Sequence, residues 1–327
     1  MVSLTTTITT PTNFLEYAKS IDEKDPTRAF VENMLETSDV MRNIPILPAD
    51  RGKRAYMDIA SLPTENFRGM NEAAGQSLGS FHLKEEDTFF IDTYVFADRA
   101  MIDRLGPEGK YKQERLKSIA LGQFFSQNII KSDNSSNART PNGIQVRCLD
   151  TTAITGNLIN NSAVSGGGPL SLSNLDQLYW RVNKPTHWIM PRGLMPQWDT
   201  AARNNSLVNQ TVVYAEGEGG DVGRRIIKFK GLPILFGYEP DDSPDLLPFS
   251  EVASGGGSAV TSSIYCVSFT PNGFYAIEQT PLTVMAEGPV PGQPQDSTHI
   301  KWDYGFAREH PKAVARLTSV TNAAIVA

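Results

Sequence analysis

The stretch SLPTENFRGMNEAAGQSLGS, residues 61–80, constrains this chain more than any other. It is polar, carries Gly69, Gly75 and Gly79, and lies between strand-like runs at 54–60 and 88–97. Two strands flanking so much sequence that buries little apolar area predict a long hairpin-like excursion. A two-stranded ribbon is marginal in water unless a further surface covers it. The pattern therefore predicts a chain that completes itself on a partner.

The rest of the composition does not remove that need. At 327 residues the chain is long enough to bury a real core without a staple. Its 26 Gly and 21 Pro predict many turns and extended connections. A net charge of -6 and a pI near 5.4 argue against a dedicated nucleic-acid binder, which carries a basic excess on one face. Cys148 and Cys266 form no C-x-x-C or Cys/His cluster, which predicts neither a disulfide framework nor a zinc site. The N-terminus has no basic start before an apolar run, and no 18 apolar residues are consecutive. The expectation is a soluble, non-secreted protein in a reducing compartment.

Residues 14–43 carry two short helical patterns split by Pro26, with Asp25 as N-cap of the second. The clearest helix covers 107–131: Leu116, Ile119, Ala120 and Phe124 make one stripe, and Leu121, Phe125, Ile129 and Ile130 a second. Such a helix is covered on two sides. Its remaining face is basic, with Lys110, Lys112, Arg115 and Lys117. Beyond a turn-rich linker, Ile144, Val146 and Cys148 alternate like a strand, a helix starts at Ser173, 185–191 reads as a buried strand, and LMPQWDTAARN as a short helix. SSIYCVSFTPNGFYAIEQ is the strongest hairpin signal, two strands about a Pro-Asn-Gly turn. With strands again near the C-terminus and no βαβ rhythm, the fold class is α+β with mixed or antiparallel sheet.

Candidate chemistry is thin. Glu65 and Glu72 form a carboxylate pair on paper, but no histidine lies within the stretch and it has too little apolar sequence to build a dry pocket around them. The segment reads as a polar contact surface. His82, His187, His299 and His310 are too scattered for a ligand pair, and no nucleophile elbow or Walker loop occurs. Glu216, Glu218 and Asp221 sit in a Gly-rich tip that matches no calcium motif. The RGKR cluster at 51–54, with the basic helix face, could touch phosphates nonspecifically, and reads at least as well as solvated charge or an intersubunit partner for the acidic 239–245 loop; Trp180, Trp188, Trp198 and Trp302 read as core. No cofactor or metal is expected, and no catalytic residue.

The order of these pieces, an arm, a two-stranded excursion, a two-sided helix, a mixed region and late return strands, resembles the major capsid proteins of tailed bacteriophages. YMDIASLPTENFRGMNEAAGQSLGS at 56–80 is similar to the R-x-x-LP-x-x-x-FR-x-x-N-E-G stretch of a short-tailed-phage capsid subfamily. FFSQNIIKSDNSSNARTPNGIQVRC at 124–148 is similar to the family's F-I-x-G-D…F-x-G-L-x-x-R passage, with Asn142, Gly143, Ile144 and Arg147 at its end. FKGLPILFGYEP at 229–240 resembles its F-x-G-V-P-I strand.

The resemblance implies a Hong-Kong-phage-type capsid fold: an N-arm over 1–44, an extended E-loop over 45–98, a P-domain from 99–139 and 291–327 with spine helix 107–131, and an A-domain over 140–290 with interleaved P-domain strands. Arg54, Leu62, Pro63, Phe67, Arg68, Asn71 and Glu72 would then be intersubunit contacts, with Arg68 donating to a neighbour's carboxylate. Lys110, Lys112, Arg115 and Lys117 would be candidate inner-surface residues. The implied function is structural: a subunit of pentamers and hexamers in an icosahedral phage head around double-stranded DNA, assembled in the host cytoplasm with a separate scaffolding protein, a portal and a decoration protein, and without a membrane. The alternative is an encapsulin-like cargo compartment; an enzyme ranks third.

Overall fold

The computed structural model describes residues 12–22, 25–73, 75–148, 156–203, 210–214, 225–238 and 245–326. The Thr-rich start, the Gly-rich tip at 216–223 and most of the acidic 239–245 loop lie outside them.

The helix predicted over 107–131 spans Glu108–Lys131, 24 residues or about 36 Å of axis at the standard rise. One of its two apolar stripes is buried inside the chain. Phe125 is the centre of that contact, its ring 5.3–5.6 Å from those of Phe14, Trp302, Tyr304 and Phe306. The N-terminal helices Phe14–Ser20 and Pro26–Thr37 cover the same core; Asp25 caps the second by accepting from the Thr27 N–H at 2.8 Å. The second helix passes the spine so closely that a Cβ on Gly122 would meet the Met34 carbonyl at 3.1 Å.

This layer lies on a five-stranded sheet ordered Thr12–Asn13, Pro45–Pro48, Phe274–Pro289, Gln295–Arg308 and Phe89–Asp98. A second sheet of eight strands holds the other large core, around Trp188, Trp198 and Leu317. Its central strands are Val314–Thr321, Ala259–Val267, His187–Ile189 and Leu232–Leu235. Asp39 ties the two halves together, its carboxylate accepting from the backbone N–H groups of Phe236 and Gly237 at 2.7 and 2.8 Å.

The third sheet is the excursion: Lys53–Ser61 pairs antiparallel with Ser80–Asp87, from Lys53 opposite Asp87 to Ser61 opposite Ser80. Here the structure corrects the pairing implied by two flanking runs. The partner of 53–61 is the charged segment SFHLKEED, and Phe89–Asp98 turns off at Thr88 to edge the five-stranded sheet. The return strand is charged on the face it turns to the body, with Lys84 and Glu86 there, so no apolar alternation announces it.

Four further expectations are corrected. The Pro-Asn-Gly turn does not close a hairpin: Ala259–Val267 and Phe274–Pro289 enter different sheets, each held between two other strands, and the true hairpin is Phe274–Pro289 with Gln295–Arg308. Residues 144–148 form a short helix rather than a strand; Arg147 N–H bonds the Gly143 carbonyl at 3.3 Å, and a period-two reading of five residues cannot separate the two. The late strands divide, since Val314–Thr321 joins the eight-stranded sheet while Gln295–Arg308 stays with the spine. Trp180 is not core but 79% exposed, on the outer side of the helix Leu172–Arg181; the other three tryptophans are fully buried.

Candidate intersubunit interface

The ribbon carries its own explanation for the polar stretch. Phe67, Met70 and Leu78 are 108%, 98% and 93% exposed, and Leu62, Met57, Leu83 and Phe81 are 64–77% exposed. Met57 pairs across the strands with Leu83, and Phe81 follows two residues along on the same face. The tip is shaped locally: the Thr64 N–H donates to Ser77 Oγ at 2.7 Å, and a Cβ on Gly79 would meet the Ser61 carbonyl at 3.0 Å. Asn71 sits at φ 66, a left-handed position Asn tolerates. Glu72 accepts from the Gly69 N–H at 2.9 Å, so one of the two carboxylates is committed to a turn. Pro63 and Arg68 are exposed, and among the described residues Arg68 has no ion pair inside the chain.

The other face of the ribbon root is held to the body. Arg147, 7% exposed, donates from Nη1 to Glu86 Oε1 at 2.7 Å and from Nη2 to Glu86 Oε2 at 3.0 Å. It also donates to the carbonyls of Phe306 at 2.8 Å and Asn142 at 3.0 Å, and its own carbonyl accepts from Arg308 Nη1 at 2.7 Å. The Tyr56 hydroxyl donates to Glu86 Oε1 at 3.3 Å; burial, then the Glu86 charge, raise its pKa and keep it neutral. Arg54 belongs to this root too: it donates to the Pro48 carbonyl at 3.4 Å, and its charge opposes the burial that raises the pKa of Tyr275. Gly305 lets the return strand cross, because a Cβ there would collide with the Asp87 carbonyl oxygen. Arg147 was singled out by its motif; Glu86, inside the unremarkable KEED, was not.

A second apolar surface is open on the body. Leu116, Ala120 and Phe124 of the spine helix are exposed, which is the stripe the chain itself does not cover. Beside them the strand Phe89–Asp98 exposes Tyr94 and Phe96, stacked at 6.0 Å. A cleft of about 320 Å³ runs between Tyr94, Phe96, Leu116, Lys117 and Ala120, and one of about 350 Å³ lies on the other side, toward Glu287 and Pro289–Pro291. His299 lies beneath Tyr94, stacked at 4.5 Å and hydrogen-bonded to Asp92. Of the basic candidates, Lys112 and Arg115 are exposed, Lys117 borders the cleft, and Lys110 is 3.9 Å from Glu114.

Cys148 and Cys266 are free and buried, and burial pushes the Cys148 thiol up to about 12. His187 is held down to about 4 by burial and bonds Thr186 Oγ1 at 2.9 Å. No cluster of three metal-ligating side chains occurs among the described residues, and no helix among them is long and apolar enough to cross a membrane.

The spine helix, the projecting ribbon and the two attached sheets define a Hong-Kong-phage-type capsid fold. No protein-family model and no curated protein matches the sequence. Among solved structures, the chain is similar to the holo-SrpI encapsulin complex of Synechococcus elongatus, at 14% identity and TM-score 0.62 over 96% of this chain and 97% of that one. It is similar to a structure from Mycobacterium phage Bobi at 10% identity and TM-score 0.59, covering 86% of this chain and 90% of that one. The capsid of a native GTA particle matches at 13% identity and TM-score 0.56, covering 84% and 88%. At such identities the likeness defines the fold alone.

Proposed function

We propose that the chain is a shell-forming structural subunit, the major capsid protein of a tailed, short-tailed-type phage whose pentamers and hexamers enclose double-stranded DNA. The observation that carries this reading is the row of large apolar side chains on the ribbon, from Met57 through Phe67, Met70 and Leu78 to Leu83. Apolar exposure on this scale marks an interaction surface. The body offers its complement in the open clefts beside Tyr94, Phe96, Leu116 and Phe124. A ribbon of one copy laid on the cleft of the next is a heterologous contact, which propagates and closes into rings. Leu62, Pro63, Phe67, Asn71 and Glu72 shape that contact, and Arg68 reaches a neighbour's carboxylate. Arg54 then acts from the root, through its own chain. The role is non-enzymatic, in the virion, with assembly in the host cytoplasm; scaffolding, portal and decoration proteins complete the list of partners. Lys112 and Arg115 are the residues best exposed to meet packaged DNA.

A second reading is favoured by one specific finding, the encapsulin similarity over nearly the whole of both chains: a compartment that holds a cargo protein. Negative-stain microscopy and sedimentation of the protein coexpressed with its neighbouring genes test both. Closed particles of uniform diameter containing DNA support the phage head, and particles containing a cargo protein support the compartment. A small oligomer, unchanged by Arg68→Ala, refutes shell formation.

A further inference from the structure

The ribbon reaches far, and among the described residues its bonds to the body lie at its root. Its strand Lys53–Ser61 has nine residues, about 30 Å at the usual rise, before the tip extends it further. Over that arm a 10° change at the root moves the far end of the paired strands by about 5 Å, beyond the reach of one side-chain contact. What sets the angle therefore decides where the ribbon lands.

The bonds at the root are not equivalent. The Thr88 N–H to the Gly52 carbonyl at 2.8 Å stays within the excursion, and Gly52 N–H to Gln279 Oε1 at 3.0 Å is exposed. Arg147 is different: a planar fork fixes direction as well as distance. Both its fork nitrogens engage Glu86 of the return strand while Nη2 also holds the Phe306 carbonyl of the long hairpin. Its backbone belongs to the short helix Ile144–Cys148, beyond the spine helix on the way into the eight-stranded sheet, and Arg308 grips its carbonyl from the hairpin. One guanidinium thus joins the ribbon, the spine-bearing sheet and the connection to the second sheet.

We propose that Arg147 and Glu86 form a latch that fixes the angle at which the ribbon leaves the body and, through that angle, the diameter of the shell. The second half rests on the shell-forming reading. Arg147 is a positioning residue: it is buried within its own chain and directs the arm that reaches the neighbour. A merely stabilising ion pair would alter stability and leave the arm's direction alone.

Two spin labels read the angle directly. Both native cysteines are buried, so labels report Gly75→Cys at the tip, where nothing lies within 4 Å, and Tyr111→Cys on the exposed side of the spine helix. Pulsed dipolar spectroscopy on full-length chain, diluted with unlabelled chain so that only intrachain pairs count, is expected to give one narrow distance distribution. Arg147→Lys keeps the charge and loses the fork; its distribution is expected to be at least twofold broader, and its particles spread in diameter, while hydrogen exchange of the spine helix stays unchanged. Glu86→Gln, nearly isosteric, is the second variant and is expected to shift the same way should the first fail to fold. An unchanged distribution overturns the latch, and a broadened one with particles of parental diameter overturns its control of size. If the parent forms no particles, the shell reading fails and control of size with it, whereas the distance measurement still decides the latch.

Discussion

Glu278 is a carboxylate in the wrong place for its charge, and replacing it by Gln should remove a specific pH dependence. It lies in the strand Phe274–Pro289 beneath the N-terminal helix, and burial raises it from an ordinary 4.5 to about 7. The Trp302 Nε1–H at 2.7 Å and the Leu282 N–H oppose that rise, and Asp303 on the paired strand, itself buried with Oδ1 unpartnered, adds to it. Tyr17, facing it from the helix Phe14–Ser20, is pushed up to about 12 and stays neutral. Below pH 4.5 the group is protonated in folded and unfolded chain alike and contributes no difference. Between 4.5 and 7 the folded state keeps a proton that the unfolded state has released, so stability falls as pH rises and is lowest above 7. At about 1.36 kcal/mol for each pH unit, the gap between 4.5 and about 7 amounts to roughly 3 kcal/mol. In Glu278→Gln the amide oxygen still accepts from Trp302, while the NH₂ meets the Leu282 N–H, a pH-independent loss of roughly 1–2 kcal/mol. The two profiles should therefore cross: the variant is less stable at pH 5 and more stable at pH 8.5. Hydrogen exchange of amides 274–278 and 300–304, corrected for the intrinsic rate, reads this locally. Parallel profiles for parent and variant would show that Glu278 is not the titrating group.

Phe125→Ala should destabilise the spine contact by about 3–5 kcal/mol, because four aromatic rings surround it and cannot collapse into the space; thermal melting checks the loss. Gly143→Ala places a methyl 2.8 Å from the carbonyls of both Asn128 and Ile130, and should lower the yield of folded protein or the melting temperature by more than Gly79→Ala, whose nearest neighbour is 3.0 Å away in the exposed ribbon. Phe67→Asp with Met70→Asp should leave circular dichroism and melting unchanged, since both side chains are solvent-exposed, and abolish particle formation in sedimentation. Arg68→Ala should weaken assembly and make it less sensitive to salt, measured by light scattering between 50 and 500 mM NaCl on the screening scale of roughly 4–14 Å.

Much of the candidate interface was legible because its signal is local. A stretch that cannot bury itself is visible from Ser61 to Ser80, and a helix with apolar residues on two faces is visible from Leu116 to Ile130; the structure covers one of those faces and leaves Leu116, Ala120 and Phe124 open. The second strand of the ribbon was not legible. His82, Lys84, Glu85, Glu86 and Asp87 suit a strand wetted on both sides, and they equally suit a loop. Trp180 was misjudged for a related reason, since hydrophobicity says that a side chain can be buried and not that anything arrives to cover it.

What the sequence by itself determined was the set of pieces: the arm broken at Pro26, the spine helix and the excursion. Each follows from side-chain periodicity, caps and apolar content within one segment. What only the tertiary structure decided was the joining. The Pro-Asn-Gly turn links two sheets because each flanking strand finds a better pair of neighbours elsewhere, and Arg147 meets Glu86 across 61 residues because the return strand crosses at Gly305. Pairing across such separations is settled by which arrangement buries the most surface and satisfies the most polar groups at once, a property of the whole chain that no single window contains.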